Sequence, residues 1–145
     1  EGNEQIVRRI VNEGHIIGNH SFSHSNSFPI FGRKKMLADI EKCQTLLKDI
    51  IGCEPAFFRP PFGVTNPNVA WAVKKAGLKV IGWNIRSYDT NKASSDKIVR
   101  RIKRQLKKGS IILLHDRLSG SEHLLQSLID TIKEEGYSFG LIGNN

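Results

Sequence analysis
Apolar and polar positions alternate along this chain at two periods, and the period changes element by element. From Asn3 to Asn12, Ile6, Val7, Ile10 and Val11 recur at helical spacing, which predicts an amphipathic helix. Glu13-Gly14 stops it, and His15 to Asn19 predicts a short buried strand. Phe28 to Gly32, with Pro29 inside, predicts a loop. Lys34 to Ile51 predicts the longest helix, with Met36, Leu37, Ile40, Leu47 and Ile51 on its apolar side and Gly52 after its end. Ala56 to Phe58 predicts a strand. Asn66-Pro67 opens a helix whose core face is Val69, Ala72, Val73 and Ala76, and Gly77 closes it. A strand follows from Leu78 to Ile85. Ser94-Ser95-Asp96 caps a helix from Lys97 to Lys108, Ser110 to His115 is a continuous apolar strand, and Glu122 to Glu135 is the last helix. Tyr137 to Ile142 predicts a final strand.

Five strands therefore alternate with five helices. Ile111-Ile112-Leu113-Leu114 is apolar on both faces, which argues for a parallel sheet covered by helices, either doubly wound or a (β/α) barrel. A length of 145 residues fits one domain, with no long linker, repeat or low-complexity tract. No apolar run is long enough to be a transmembrane segment, and no signal peptide is visible.

Charge changes the picture only in part. The net charge of +8 favours an anionic partner: a cell-wall polymer, a membrane surface or nucleic acid. Arg100, Arg101, Lys103, Arg104, Lys107 and Lys108 are interleaved with Ile98, Val99, Ile102 and Leu106 at helical spacing. This reads as the solvated face of an amphipathic helix rather than a nucleic-acid patch, so no nucleic-acid partner is expected. Cys43 and Cys53 are too few for a disulfide framework and read as free or buried thiols.

The candidate chemistry starts at His20-Ser21-Phe22-Ser23-His24. On a straight strand the two imidazoles would stand ~13 Å apart, too far to share an ion. If the chain curls into a helical turn after Asn19, residues four apart become neighbours and can bind one metal. Other polar residues also gather where strands end, the usual ligand side of parallel α/β folds. Arg59 and Phe62 follow one strand, Trp83, Asn84 and Asp89 the next, and His115 and Asp116 another. Singly each has a bland reading: a surface ion pair, a capped turn, a satisfied core histidine. Together, on one rim, they would form a hydrolytic constellation.

His20-Ser21-Phe22-Ser23-His24, Arg59-Pro60-Pro61-Phe62-Gly63, Asp89 after Trp83, and Leu113-Leu114-His115-Asp116 stand in the order and spacing of the polysaccharide deacetylases, the carbohydrate esterase family 4 or NodB-homology group, which the chain resembles from about Asn12 onward. The resemblance implies a distorted (β/α) barrel with parallel strands that removes acetyl groups from N-acetylglucosamine polymers with a divalent metal, usually zinc. It implies His20 and His24 as metal ligands, Phe62 as the backbone donor to the oxyanion, and Leu113 and Trp83 as pocket walls. His115 would be the general acid, Asp89 its orienting carboxylate, and Arg59 the partner of the catalytic base. The family's first motif, which supplies that base and a third metal ligand as an Asp-Asp pair, has no counterpart between Glu1 and His15. The implied domain, residues 1–145, is therefore a truncated barrel lacking N-terminal strands, with an open sheet edge available for association. Arg86 and Thr90 stand where the pattern has an acidic residue and a Trp. The implied substrate is a chitin-like or peptidoglycan polymer, met outside the cell, at its surface or in a periplasm. The expected activity is metal-dependent deacetylation, with this chain an incomplete and inactive form. The alternative is a non-catalytic carbohydrate-binding pseudoenzyme.

Overall fold
The computed structural model describes residues 2–91 and 93–143. Two compact units are present: residues 1–82 with 141–145, and residues 83–140.

In the first unit, α1 (Glu4–Asn12) lies beside α2 (Arg33–Ile51) yet fully buries none of its own residues. The helix α2 ends at Gly52, whose φ of 77° is the left-handed conformation glycine adopts at no steric cost. Strand β1 (Phe57–Phe58), helix α3 (Pro67–Lys75) and strand β2 (Lys79–Val80) form a βαβ unit, with Phe57 opposite Lys79 and Phe58 opposite Val80 in parallel register. Asn66 starts α3: its Oδ1 accepts from the N–H groups of Asn68 and Val69, both at 3.0 Å, as an N-cap should. Phe28, Met36, Ile40, Phe58, Val69, Ala72, Val73 and Leu78 make one core between α2, α3 and the strands. Each large side chain buried there contributes roughly 1.5–3 kcal/mol.

The second unit repeats the motif. Strands β3 (Ile85–Arg86) and β4 (Ile112–Leu113) pair in parallel, Ile85 opposite Ile112 and Arg86 opposite Leu113. The helix α4 (Ser95–Lys103) connects them and α5 (Ser121–Glu134) follows. Ile85 and Ile112 pack with Ile98, Ile102, Leu124, Leu128 and Ile132. Because side chains alternate along a strand, Arg86 and Leu113 are left together on the face away from this core.

The five helices stand within a few residues of their predicted positions, and the strands depart more. Among the described residues there are four strands rather than five, each of two residues. His15 to Gly18 forms no strand; only Asn19 bridges to Phe58, and Ile16 is exposed. Leu78 to Ile85 is not one strand but two, in separate sheets. The break is held by Asn84, whose Oδ1 accepts from the Ile111 N–H at 2.9 Å while the Asn84 and Ile85 N–H groups both donate to the Ile111 carbonyl at 3.1 Å. A side-chain amide thus stands in for strand backbone, which an apolar run cannot reveal. Tyr137 to Ile142 is not a strand either: Tyr137 packs on the second core and the chain beyond is exposed at Phe139 and Leu141. The loop at Phe28–Ile30 is a single 3-10 turn. Cys43 and Cys53 are free.

Candidate active site
The two histidines of the first unit are neighbours without a helical turn. Asn19 is 0% exposed and directs the loop. Its N–H donates to the Phe57 carbonyl at 2.8 Å and its carbonyl accepts from the Arg59 N–H at 2.9 Å, which ties it to β1. Its Nδ2 donates to the Ile40 carbonyl at 2.9 Å and to Gln44 Oε1 at 3.0 Å on α2, and its Oδ1 accepts from the Ser21 N–H at 2.9 Å. Ser21 then takes a φ of 70° and His24 one of 44°. These left-handed residues reverse the chain, and Ser21 Oγ accepts from the His24 N–H at 3.0 Å. The expectation of proximity is met and that of a helical turn is not, because side-chain acceptors replace the helical carbonyls. The imidazole centroids are 4.9 Å apart. Asp39 on α2 holds the tip of the loop, accepting from Phe22 N–H at 3.0 Å and Ser23 N–H at 3.3 Å.

His20 Nδ1–H donates to the Arg59 carbonyl at 2.6 Å. That bond fixes the tautomer and puts the ring's lone pair on Nε2, the arrangement usual for a metal-ligating histidine. The pair thus fits two ligand positions of a divalent ion. Cys43 lies close by on α2, but burial pushes its thiol pKa up, with the His20 N–H working downward and Asp39 upward, which disfavours a ligating thiolate. Among the described residues no group of three or more His, Cys, Asp or Glu side chains could hold a metal.

Phe62, in the Pro61–Gly63 turn after β1, has a φ of 59° and sets its ring edge-on to His24 at 5.0 Å. The Arg59 side chain donates to the carbonyls of Ile81 and Gly82, both at 3.4 Å, and burial pushes its pKa down. No carboxylate pairs with Arg59 among the described residues.

In the second unit Asp89 and His115 meet. The Asp89 side chain is 2% exposed. Its Oδ1 accepts from His115 Nδ1–H at 2.9 Å and its Oδ2 from the His115 backbone N–H at 2.6 Å. Ser87, 0% exposed, adds its hydroxyl to Oδ1 at 2.9 Å. Burial works to raise the Asp89 pKa, but the His115 ring, the His115 N–H, the Ser87 hydroxyl and the His115 charge work downward and prevail. Leu113 and Trp83 are partly buried. The named residues therefore form two groups: His20, His24, Arg59 and Phe62 in the first unit, and Trp83, Asp89, Leu113 and His115 in the second.

Sequence reasoning missed Asn19, Asp39, Ser87 and Arg101, whose Nη1 donates to the Ser87 carbonyl at 2.8 Å. Asn19 alone had a signal, a polar residue ending an apolar run. Two predictions follow from these contacts. Asn19→Ala strips Ser21, Ile40 and Gln44 of a partner, so a urea titration should show a loss of about 1–3 kcal/mol; a change under about 0.5 kcal/mol would mean that Asn19 does not hold the loop. A carboxyl whose folded pKa is depressed stabilises the fold above its unfolded pKa, near 3.9 for Asp, and loses that contribution as pH falls through the folded value. The stability gap between wild type and Asp89→Asn, about 1–3 kcal/mol at neutral pH, should therefore shrink steadily below about pH 4. A gap of constant size from pH 7 to pH 2 rules out the charge as its source.

The comparisons with known proteins identify the family. A family model described as polysaccharide deacetylase matches residues 1–81. A peptidoglycan-N-acetylglucosamine deacetylase of Bacillus cereus is 32% identical over 139 residues, which are 92% of this chain and 50% of that protein. The chain thus spans about half the length of this curated relative. The solved family 4 carbohydrate esterase from Streptomyces lividans, in complex with acetate, superposes with a TM-score of 0.89 at 32% identity over 97% of this chain and 72% of that one. A family 4 pseudoenzyme from Bacillus anthracis superposes with a TM-score of 0.86 at 25% identity, over 97% and 49% of the two chains. The short parallel strands and intervening helices are thus part of the (β/α) barrel type those domains share. With more than half its length matched by the family model, the chain belongs to the polysaccharide deacetylase family.

Proposed function
We propose that this chain carries part of the site of a metal-dependent deacetylase acting on an N-acetylglucosamine-containing cell-wall glycan, outside the cell membrane. The observation that carries the reading is the pinned His20 ring with its centroid 4.9 Å from that of His24. His20 and His24 would hold a divalent ion, most simply zinc, which supplies Lewis-acid polarisation of the amide carbonyl and a water of lowered pKa. The Phe62 N–H donates to the carbonyl oxygen as it gains charge. Leu113 and Trp83 wall the acetyl methyl. Water oxygen bonds to the carbonyl carbon as a carboxylate base takes its proton, the C–N bond breaks, and His115, its Nδ1–H held by Asp89, gives its Nε2 proton to the departing amine. The products are acetate and a free amino sugar. Arg59 would pair with that base. The B. cereus and S. lividans relatives support this assignment.

On this reading His20 and His24 would be two of the metal ligands, and among the described residues no group of three or more completes the set, so residues 1–145 by themselves would be an inactive form. The second reading, a non-catalytic carbohydrate binder, is favoured by the same count of ligands among the described residues and by the pseudoenzyme relative. No helix among the described residues is long and apolar enough to cross a membrane. The deciding experiment measures acetate released from N-acetylglucosamine oligomers and from purified peptidoglycan by the natural protein. Release that a chelator abolishes and zinc restores is expected. Glycan binding without acetate release under both conditions replaces the enzyme with the pseudoenzyme.

A further inference from the structure
We propose that Arg86, Tyr88 and Arg101 bind a carboxylate carried by the glycan, so that the substrate is an acidic N-acetylated glycan rather than a neutral one; this rests on the deacetylase reading above. The Tyr88 ring lies between two guanidiniums, with Arg86 Cζ 5.0 Å and Arg101 Cζ 5.3 Å from its centroid. The ring is held outward, at 43% exposure, by a backbone turn with a φ of 57°. Among the described residues neither arginine has a carboxylate within ion-pair distance. Two like charges gathered on one ring repel. The ring's quadrupole offsets part of that repulsion, and a bound anion offsets the rest. Guanidinium is the side chain best shaped to take a carboxylate by two parallel hydrogen bonds.

The placement ties the cluster to the reaction. Arg86 is register-paired with Leu113, the proposed acetyl wall, on the face away from the core. Tyr88 immediately precedes Asp89, whose carboxylate is already engaged by His115 and Ser87 and so does not neutralise the arginines. On α4, Arg101 is flanked by Lys97, Arg100, Lys103 and Arg104 around one open depression. The positive field therefore continues for ~10 Å along the helix. Among the described residues only Lys103 in that set has an ion-pair partner, Glu135 at 2.7 Å. A polymer with an acidic group near its acetamide can place the one at Leu113 and the other at Arg86.

The test is calorimetric binding to the full chain of three probes. They are an oligosaccharide alternating N-acetylglucosamine and glucuronate, neutral chitotetraose, and a single-stranded oligonucleotide of matched charge. The acidic oligosaccharide should bind more tightly than chitotetraose and lose affinity with salt. Arg86→Gln should weaken it about tenfold, the scale of one charge-assisted contact, and leave chitotetraose unchanged, while Arg86→Lys, which keeps the charge but not the two-pronged geometry, restores only part of the affinity. Arg86 is solvent-exposed, so these variants retain the fold. Equal affinity for the two oligosaccharides overturns the proposal, as does indifference to Arg86→Gln, or tighter Arg86-dependent binding of the oligonucleotide. Acetate release by the natural protein is measured in parallel on both oligosaccharides. Equal turnover of the two ends this inference and leaves the deacetylase standing. Arg86-dependent binding of the acidic oligosaccharide with no acetate released ends the deacetylase and leaves the anion site.

Discussion
Replacing His115 by Ala is expected to lower the kcat of the proposed deacetylase by about 10²–10⁴-fold, with KM changed by no more than about threefold. An amine is a poor leaving group, and breaking the C–N bond needs a proton delivered as the bond lengthens. On the proposed reading His115 makes that delivery from Nε2. Its Nδ1–H is committed to Asp89 Oδ1 at 2.9 Å and its backbone N–H to Oδ2 at 2.6 Å, so one carboxylate fixes both the ring and the main chain that carries it. The same interaction made only in the transition state predicts a fall in kcat and kcat/KM together. Two further measurements separate proton donation from mere support. An aryl acetate, whose phenolate leaves without protonation, should suffer far less from His115→Ala than the amide does. Added imidazole should recover part of the lost amide turnover. A variant whose kcat on the amide stays within about threefold of wild type would remove His115 from the chemistry, because a general acid contributes well above that.

Much of the fold was legible because helices announce themselves. The apolar stripes of α2, α3 and α5 are long enough that packing and propensity agree, and Gly52 and Asn66 mark the ends by known backbone chemistry. Strands were less legible. Each is two residues long, too short for a period to show, and the break inside Leu78 to Ile85 depends on the Asn84 side chain replacing a backbone acceptor. The candidate site residues were legible as residue types and not as geometry. His20, His24, Asp89 and His115 could be named because the motifs carry them. The loop that brings His20 and His24 together rests on Asn19, Ser21 and Asp39, and Asp39 reaches the loop from a helix that begins nine residues after His24. Contacts of that kind leave no periodic trace. Ser87 behaves likewise: it is fully buried and polar, and only its bond to Asp89 explains it.

Residues 1–145, purified and supplied with zinc, are expected to release no acetate from an N-acetylglucosamine oligomer. A catalytic zinc site commonly has three protein ligands and an open position. On the proposed reading His20 and His24 would supply two, and among the described residues no third His, Cys, Asp or Glu side chain completes a metal-holding group. Asp116 and Glu122 are the carboxylates with the right chemistry to substitute. Neither joins such a group, and the Asp116 carbonyl is engaged by the Ser121 hydroxyl at 2.8 Å, which fixes its turn. Two exposed imidazoles should still bind zinc, but more weakly than a three-ligand site, and His24→Ala should abolish what binding there is. Arg59 makes the complementary point. Its guanidinium is partly buried, it spends its bonds on the carbonyls of Ile81 and Gly82 at 3.4 Å, and no carboxylate answers its charge among the described residues. A group that takes the proton from water contributes about 10²–10⁴-fold, so even a metal-loaded stretch lacking one should turn over too slowly to detect. The measurement is acetate released by the purified stretch with zinc, alone and with a segment carrying the family's Asp-Asp motif added in trans. Robust release by the stretch alone would show that it holds a base and a third ligand of its own. Release only after the segment is added would assign both to the Asp-Asp pair and support the proposed pairing of Arg59 with its carboxylate.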